Sequence, residues 1–135
     1  MEGNNGASRL TSAQELLQLI GSHDVDKAMS FLSDDVTYRV PGKQGLSGDY
    51  VGRDGVARHL VDVYEETKGT FDPLKWEDWM VGTDHVAVLA KISMERQAAI
   101  MTGRFLYLLR FNGDDKIDGI ELFVSDPEQV KRFFQ

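Results

Sequence analysis

Apolar positions recur along the chain first with helical and then with strand spacing. Leu16, Leu17, Leu19 and Ile20 form a stripe that ends at Gly21, and Thr11 or Ser12 stands where a cap is needed, with Glu15 close behind. Asp24 opens a second short helix, Val25 to Leu32, in which Ala28, Phe31 and Leu32 share a face. Val36 to Val40 is rich in β-formers and stops at Pro41-Gly42, and the stretch to Gly52 carries Gly42, Gly45, Gly48 and Gly52 among polar residues, predicting a strand followed by a mobile loop. Between Arg53 and Lys68 the residues Val56, Leu60, Val63 and Tyr64 recur near 3.6, so a third helix turns one face inward.

The rest reads as strands. Phe71 to Gly82, Val86 to Gln97, Ile100 to Phe111 and Lys116 to Val124 are separated by turn residues, and Asn112-Gly113-Asp114-Asp115 is the strongest of these turns. Four consecutive strands of this kind predict an antiparallel meander. Asp126-Pro127 then opens a terminal helix, Glu128 to Phe134. Helices before a strand-rich half predict an α+β fold with the helices on one face of the sheet. Residues 1–10 read as a polar, disordered tail, and residues 11–135 as one domain.

Composition narrows the function classes. With 41% hydrophobic and 27% charged residues the chain has the make-up of a globular protein, and no apolar run reaches the length of a membrane span. Fifteen Lys and Arg against 22 Asp and Glu give a net charge of −7, which opposes attraction to nucleic acid or to an anionic membrane surface. Without cysteine there is no disulfide, thiol nucleophile or thiolate metal site, and the polar start has no secretory signal, so the expected location is cytoplasmic. His23, His59 and His85 stand apart on different elements, and no Gly-rich phosphate loop follows a strand; neither a metal nor a cofactor is expected.

Three segments carry a family resemblance: Phe31-Leu32-Ser33-Asp34-Asp35-Val36-Thr37-Tyr38, the run Gly48 to Gly55 leading into a helix, and Arg110 to Ile117 followed by Asp126. In order and spacing the chain resembles the SnoaL-like and ketosteroid-isomerase-like families of the nuclear transport factor 2 superfamily. That resemblance implies a cone-shaped α+β barrel of the cystatin-like type, with its curved antiparallel sheet wrapped on the N-terminal helices. It also implies an apolar cavity and commonly a homodimer through the convex sheet face. It does not imply one activity, because the superfamily holds isomerases, cyclases, hydrolases, dehydratases and binding modules. Carried across by alignment, the isomerase's general-base Asp falls on Val40, its oxyanion-hole Tyr on Leu16 and its oxyanion-hole Asp on Tyr107. The base is therefore absent.

Strand alternation assigns the cavity wall independently. Phe105, Tyr107, Leu109 and Phe111 form one phase of their strand and face inward; Leu106 and Leu108 face outward between Arg104 and Arg110, a pattern suited to a dimer contact. Ala90, Ile92 and Met94, together with Ile120, Leu122 and Val124, share the inward phase of the flanking strands, and Leu16, Ile20, Val40 and Leu60 complete the expected ligand-binding set. Arg96 is expected at the cavity mouth, where it meets a ligand carboxylate or only solvent. Trp76 and Trp79, three residues apart on one strand, are expected on opposite faces, one toward the cavity. Glu121, on the outer face, is expected to pair with Lys91, Arg104 or Arg110.

The candidate catalytic groups are His59, Tyr38 and Tyr107. His59 is a proton acceptor or donor at the edge of a buried helix face, or else a histidine bonded to backbone or carboxylate; the two tyrosines are donors to a ligand oxygen, or else core residues with satisfied hydroxyls. The expected partner is a small hydrophobic or aromatic molecule. The expected function is cofactor-independent acid–base chemistry of the isomerase, cyclase or hydrolase type, with a non-catalytic ligand-binding or dimeric interaction module as the alternative.

Overall fold

A computed structural model describes residues 5–43 and 45–135. The elements run α1 (Asn5–Gly21), α2 (Val25–Met29), β1 (Leu32–Val40), β2 (Gly48–Val51), α3 (Gly52–Glu66), β3 (Asp72–Val81), β4 (His85–Arg96), β5 (Ala99–Phe111), β6 (Ile117–Val124) and α4 (Pro127–Phe133). They form an α+β fold built on one six-stranded sheet in the order β2-β1-β6-β5-β4-β3. The meander β3 to β6 is antiparallel throughout, whereas β1 lies parallel to β6 and so brings the early strand beside the last one. Bulges in β3, in the β5–β6 pairing and in the β1–β6 pairing bend the sheet, which curves without closing. None of the described helices is long and apolar enough to cross a membrane.

The alternation read from the sequence is the burial pattern of the sheet. Met101, Phe105, Tyr107, Leu109 and Phe111 of β5 are buried, as are Val86, Val88, Ala90, Ile92 and Met94 of β4. These side chains meet Leu16, Leu17, Ala28, Val56 and Leu60 of the helices in one core. Each fully buried aliphatic chain contributes about 1.5–3 kcal/mol by leaving water.

Several expectations change at element ends. Helix α1 begins at Asn5, not at Thr11 or Ser12, so the expected tail over residues 1–10 is helical from Asn5 onward; residues 1–4 lie outside the described residues. Thr11 is an interior residue whose hydroxyl donates back to the Ala7 carbonyl at 3.1 Å. Arg9 ties the start of α1 to the rest of the molecule. Its guanidinium donates to Asp115 at 2.8 Å and to the Thr83 carbonyl at 3.0 Å, and stands 5.4 Å from the centre of the Phe111 ring. A sequence pattern shows none of this, because every partner lies more than 70 positions away.

Helix α2 is shorter than expected and β1 longer: Leu32 belongs to the strand, pairing with Ile117. Part of the expected mobile loop is β2, whose Gly48 to Val51 pairs antiparallel with Val40 to Thr37. Trp76 and Trp79 do not oppose each other across the sheet. A bulge between Trp76 and Asp78 adds a residue, so the two indoles pair with Ala90 and Val88 on the same face and lie 6.0 Å apart. Glu121 makes none of the expected ion pairs among the described residues; Arg104 instead takes Glu77 at 2.9 Å and Arg110 takes Asp118 at 2.8 Å.

Arg9→Ala leaves the Thr83 carbonyl and the Asp115 carboxylate without this donor, and denaturant unfolding should register a loss of about 1–3 kcal/mol. A loss below a few tenths would show that α1 docks through its apolar stripe alone.

Candidate functional site

Between α3, α1, α4 and the concave face of the sheet lies a narrow chamber of about 60 Å³. Its wall is formed by Ile20 of α1, by Leu60 and Val63 of α3, and by Met94, Phe105, Leu122 and Val124 of the sheet. Val40 and Tyr107, expected to share one apolar space, both line it. So do Tyr38 and His59, which brings the three candidate catalytic residues to one chamber. No Asp or Glu among the described residues lines it.

Five of the expected ligand-binding residues lie elsewhere. Leu16, Ala90 and Ile92 are completely buried and pack in the core beyond the chamber wall; the alternation that turns them inward does not distinguish a filled part of the concave face from an open one. Ile120 also points into the core but borders a separate cleft of the sheet rather than the chamber. Arg96 does not stand at the mouth as a receptor for a carboxylate. Its Nε donates to Glu66 at 3.2 Å and its Nη1 to the carbonyls of Phe133 and Gln135, so its charge ties the end of α4 to α3. Neither tryptophan lines the chamber.

Several lining residues escaped the sequence reading. Pro41 and Leu46 come from the segment between β1 and β2, Tyr64 from α3, Phe71 from the approach to β3, and Val130 and Phe134 from the terminal helix and its end. The terminal helix carried a signal: Val130, Phe133 and Phe134 are apolar at helical spacing in an otherwise charged segment, which requires a surface to cover.

The polar atoms in this apolar setting are few and distinct. Helix α3 places His59 next to Leu60 on its buried face, and the imidazole is only 3% exposed. Its ring meets Tyr38 edge-on at 5.2 Å and lies over Tyr50 at 4.2 Å. Nδ1 is buried and has no hydrogen-bond partner among the described residues. Loss of water around the ring pulls its pKa from 6.5 down to about 4, against a smaller upward pull from Asp62, so the imidazole is neutral at pH 7.

The four tyrosines divide by their hydroxyls. Tyr50 donates to the Leu46 carbonyl at 2.7 Å and Tyr64 to the Ile20 carbonyl at 2.6 Å, which satisfies both. Tyr38 and Tyr107 are buried, and neither hydroxyl bonds to a described group. Burial raises both phenols well above their ordinary pKa, with a further upward push on Tyr38 from Tyr107 and on Tyr107 from Tyr64, so both stay protonated donors. The chamber thus holds two phenolic donors and one neutral imidazole nitrogen in apolar walls. Among the described residues, no three His, Asp or Glu side chains are gathered where they could hold a metal ion.

Titration of His59 links the site to stability. Between pH 6.5 and about 4 the unfolded chain takes up a proton that the folded chain refuses, so stability is full above pH 6.5 and falls as pH drops through this window. The size of the effect is about 3 kcal/mol by pH 4. His59→Phe should keep the ring packing and remove that loss, seen as a flatter dependence of unfolding free energy on pH. Parallel curves for the two proteins would place the proton on a histidine with ordinary solvation.

A protein called Bal32a, from a soil-derived mobile gene cassette, superposes with a TM-score of 0.92 at 16% identity, covering 98% of this chain and 100% of that one. A protein of unknown function with a cystatin-like fold from Xanthomonas campestris gives 0.87 at 28% identity over 93% and 97% of the two chains. TerC, co-crystallized with polyporic acid, gives 0.81 at 18% identity over 93% and 97%. No curated protein matches the sequence. The family model of the SnoaL-like domain matches residues 13–120, most of the chain from within α1 to within β6, and the protein belongs to that family, with the fold of the NTF2-like proteins.

Proposed function

We propose that the chamber binds a small aromatic or otherwise apolar molecule through an oxygen atom, with Tyr38 and Tyr107 as the donors to that oxygen. The observation that carries this reading is the pair of phenol hydroxyls, on residues lining the chamber, without a described protein partner. A ligand carbonyl, enol or phenolate oxygen supplies the acceptor that both donors lack, at about 0.5–1.5 kcal/mol per hydrogen bond. The apolar lining supplies affinity for the rest of the ligand. TerC, which has the same fold, was co-crystallized with a small acid, in keeping with a fold that takes such molecules.

In an acid–base reaction the phenols would hold the developing oxyanion and His59 would move the proton. As it stands, an imidazole with a pKa near 4 is a weak base. An anionic oxygen formed beside it would favour its protonated form and return its pKa toward the ordinary range, so proton transfer would be coupled to formation of the oxyanion. The route through a carboxylate base at the end of β1 is closed by Val40. A non-catalytic ligand-binding or dimeric interaction module is the second reading, and the small inner volume of about 60 Å³, below the several hundred Å³ of ordinary ligand sites, favours the interaction module.

The donor role can be read with two aromatic probes of like shape, 2-acetylnaphthalene and 2-ethylnaphthalene. The native protein should prefer the ketone, and the double variant Tyr38→Phe/Tyr107→Phe should lose roughly tenfold in affinity for it while binding the hydrocarbon as before. Equal losses for both probes, or none, would remove the hydroxyls from the binding account.

We also propose a homodimer through the convex sheet face. There Leu106 stands opposite Leu89 and Phe123 while Leu108 stands opposite Ala87 and Glu121, and the flanking Arg104–Glu77 and Arg110–Asp118 ion pairs give that strip a charged rim. Leu108→Asp should yield monomers in light scattering where the native chain gives dimers. A dimer unaffected by the charge would move the interface to another face.

A further inference from the structure

Tyr38 and Tyr50 stand opposite each other on β1 and β2, and both rings reach His59. Their roles differ. Tyr38 meets the imidazole edge-on at 5.2 Å and lines the chamber, with a hydroxyl that bonds to no described group. Tyr50 is not part of the chamber wall. Its ring lies over the imidazole at 4.2 Å with the two planes 30° apart, and its hydroxyl is already engaged, donating to the Leu46 carbonyl at 2.7 Å. Tyr50 is half-buried whereas the imidazole is only 3% exposed, so the phenol ring stands between His59 and water. The backbone brings the two rings together. Strand β2 ends at Val51 and α3 begins at Gly52, whose φ of 77° favours glycine and turns the chain directly from strand into helix. About two helical turns further on, His59 lies on the face of α3 that looks back over β1 and β2.

We propose that Tyr50 is a positioning residue for His59: tethered at Leu46 and stacked on the imidazole, it fixes the plane of that ring and keeps water off the face it covers. This rests on the reading of His59 as the group that moves a proton, and adds the residue that sets its state. The tether serves the site twice, because Leu46 is itself part of the chamber wall. Around the imidazole stand Tyr38 on β1, Tyr50 on β2 and the carboxylate of Asp62 on α3, and Tyr64 and Tyr107 line the same chamber. Asp62 favours the imidazolium, but the loss of hydration outweighs it. A phenol face attracts a cation weakly, whereas water solvates an imidazolium strongly, so a covered face holds His59 neutral and an uncovered one lets it charge. Burial, and then the charge of Asp62, raises the Tyr50 phenol, so its hydroxyl stays a protonated donor and the tether persists at neutral pH.

NMR titration of the imidazole C–H signals in the full chain tests this without any ligand, with His59 identified by the signal missing from His59→Phe. In the native protein His59 should stay neutral down to about pH 5, in keeping with a pKa of about 4. Tyr50→Ala should move its midpoint to between about 5 and 6.5, and Tyr50→Phe, which keeps the stacked ring and loses the tether, should fall between native and Tyr50→Ala. The methyl signals of Val88 and Leu109, deep in the core, should stay where they are. A native midpoint in Tyr50→Ala would overturn the proposal, as would a rise in Tyr50→Phe as large as that in Tyr50→Ala, since the stacked ring would then add nothing. A rise accompanied by shifted Val88 and Leu109 signals would assign the effect to general loosening and equally refute it. Should Tyr50→Ala fail to fold, Tyr50→Leu, which fills space without a flat ring, should show a rise of the same sign, and a native midpoint there would refute the shield. The ketone preference carried by Tyr38 and Tyr107 tests the chamber reading separately, because no ligand enters the titration.

Discussion

Alternation along β5 and β6 imposes the condition on which the rest of the molecule depends. Every second side chain must lie on the concave side of a curved sheet, and in β5 those side chains are Met101, Phe105, Tyr107, Leu109 and Phe111. Helices α1 and α3 cover most of that surface and exclude water from it. A curved sheet and straight helices do not match in shape everywhere, and the space left over is the chamber. Because Tyr107 and Tyr38 face it from the sheet and His59 from α3, three polar side chains end up in a place that supplies them with few partners. The buried, unpartnered His59 Nδ1 lowers stability, and together with the two phenols it leaves a surface poised for a polar atom from elsewhere.

Much of this was readable in the residues. The period of α3, the alternation of β4 and β5 and the Asn112 to Asp115 turn correspond to the observed elements. The Asn112 side-chain oxygen accepts from the backbone of Asp114 and Lys116, which is how the composition of that turn produces its shape. Tyr38, His59, Tyr107 and Val40 fall together because the phase of a strand and the face of a helix are local properties. What a local pattern does not carry is how tightly each part of a shared face is filled. Leu16, Ala90 and Ile92 obey the same periodicity as Leu60, Met94 and Leu122, yet only the latter reach the open space.

The other departures have equally physical origins. One extra residue in β3 reverses the side of everything beyond it, which moves Trp79 onto the face of Trp76. The first turn of α1 is fixed by long-range bonds of Arg9, and the destination of Arg96 is decided by carbonyls at the far end of the chain. An arginine's reach and its choice of acceptor depend on tertiary neighbours, so its position on a strand predicts its face but not its partner. The short pairing of β2 with β1 likewise arises from the return of the chain rather than from any strong β-preference in Gly48-Asp49-Tyr50-Val51.

These features together describe a SnoaL-like domain whose chamber presents two phenols and an imidazole among apolar side chains. Without a carboxylate in its lining, the chamber has no group that is charged at neutral pH, and its polar character comes from dipoles and hydrogen-bond donors alone. The most direct test of that claim is a crystal of the protein pressurised with xenon. An uncharged, apolar chamber predicts an anomalous peak bounded by Phe105, Tyr107 and Leu122; no peak at that position after pressurisation, with side chains filling the space, would contradict it.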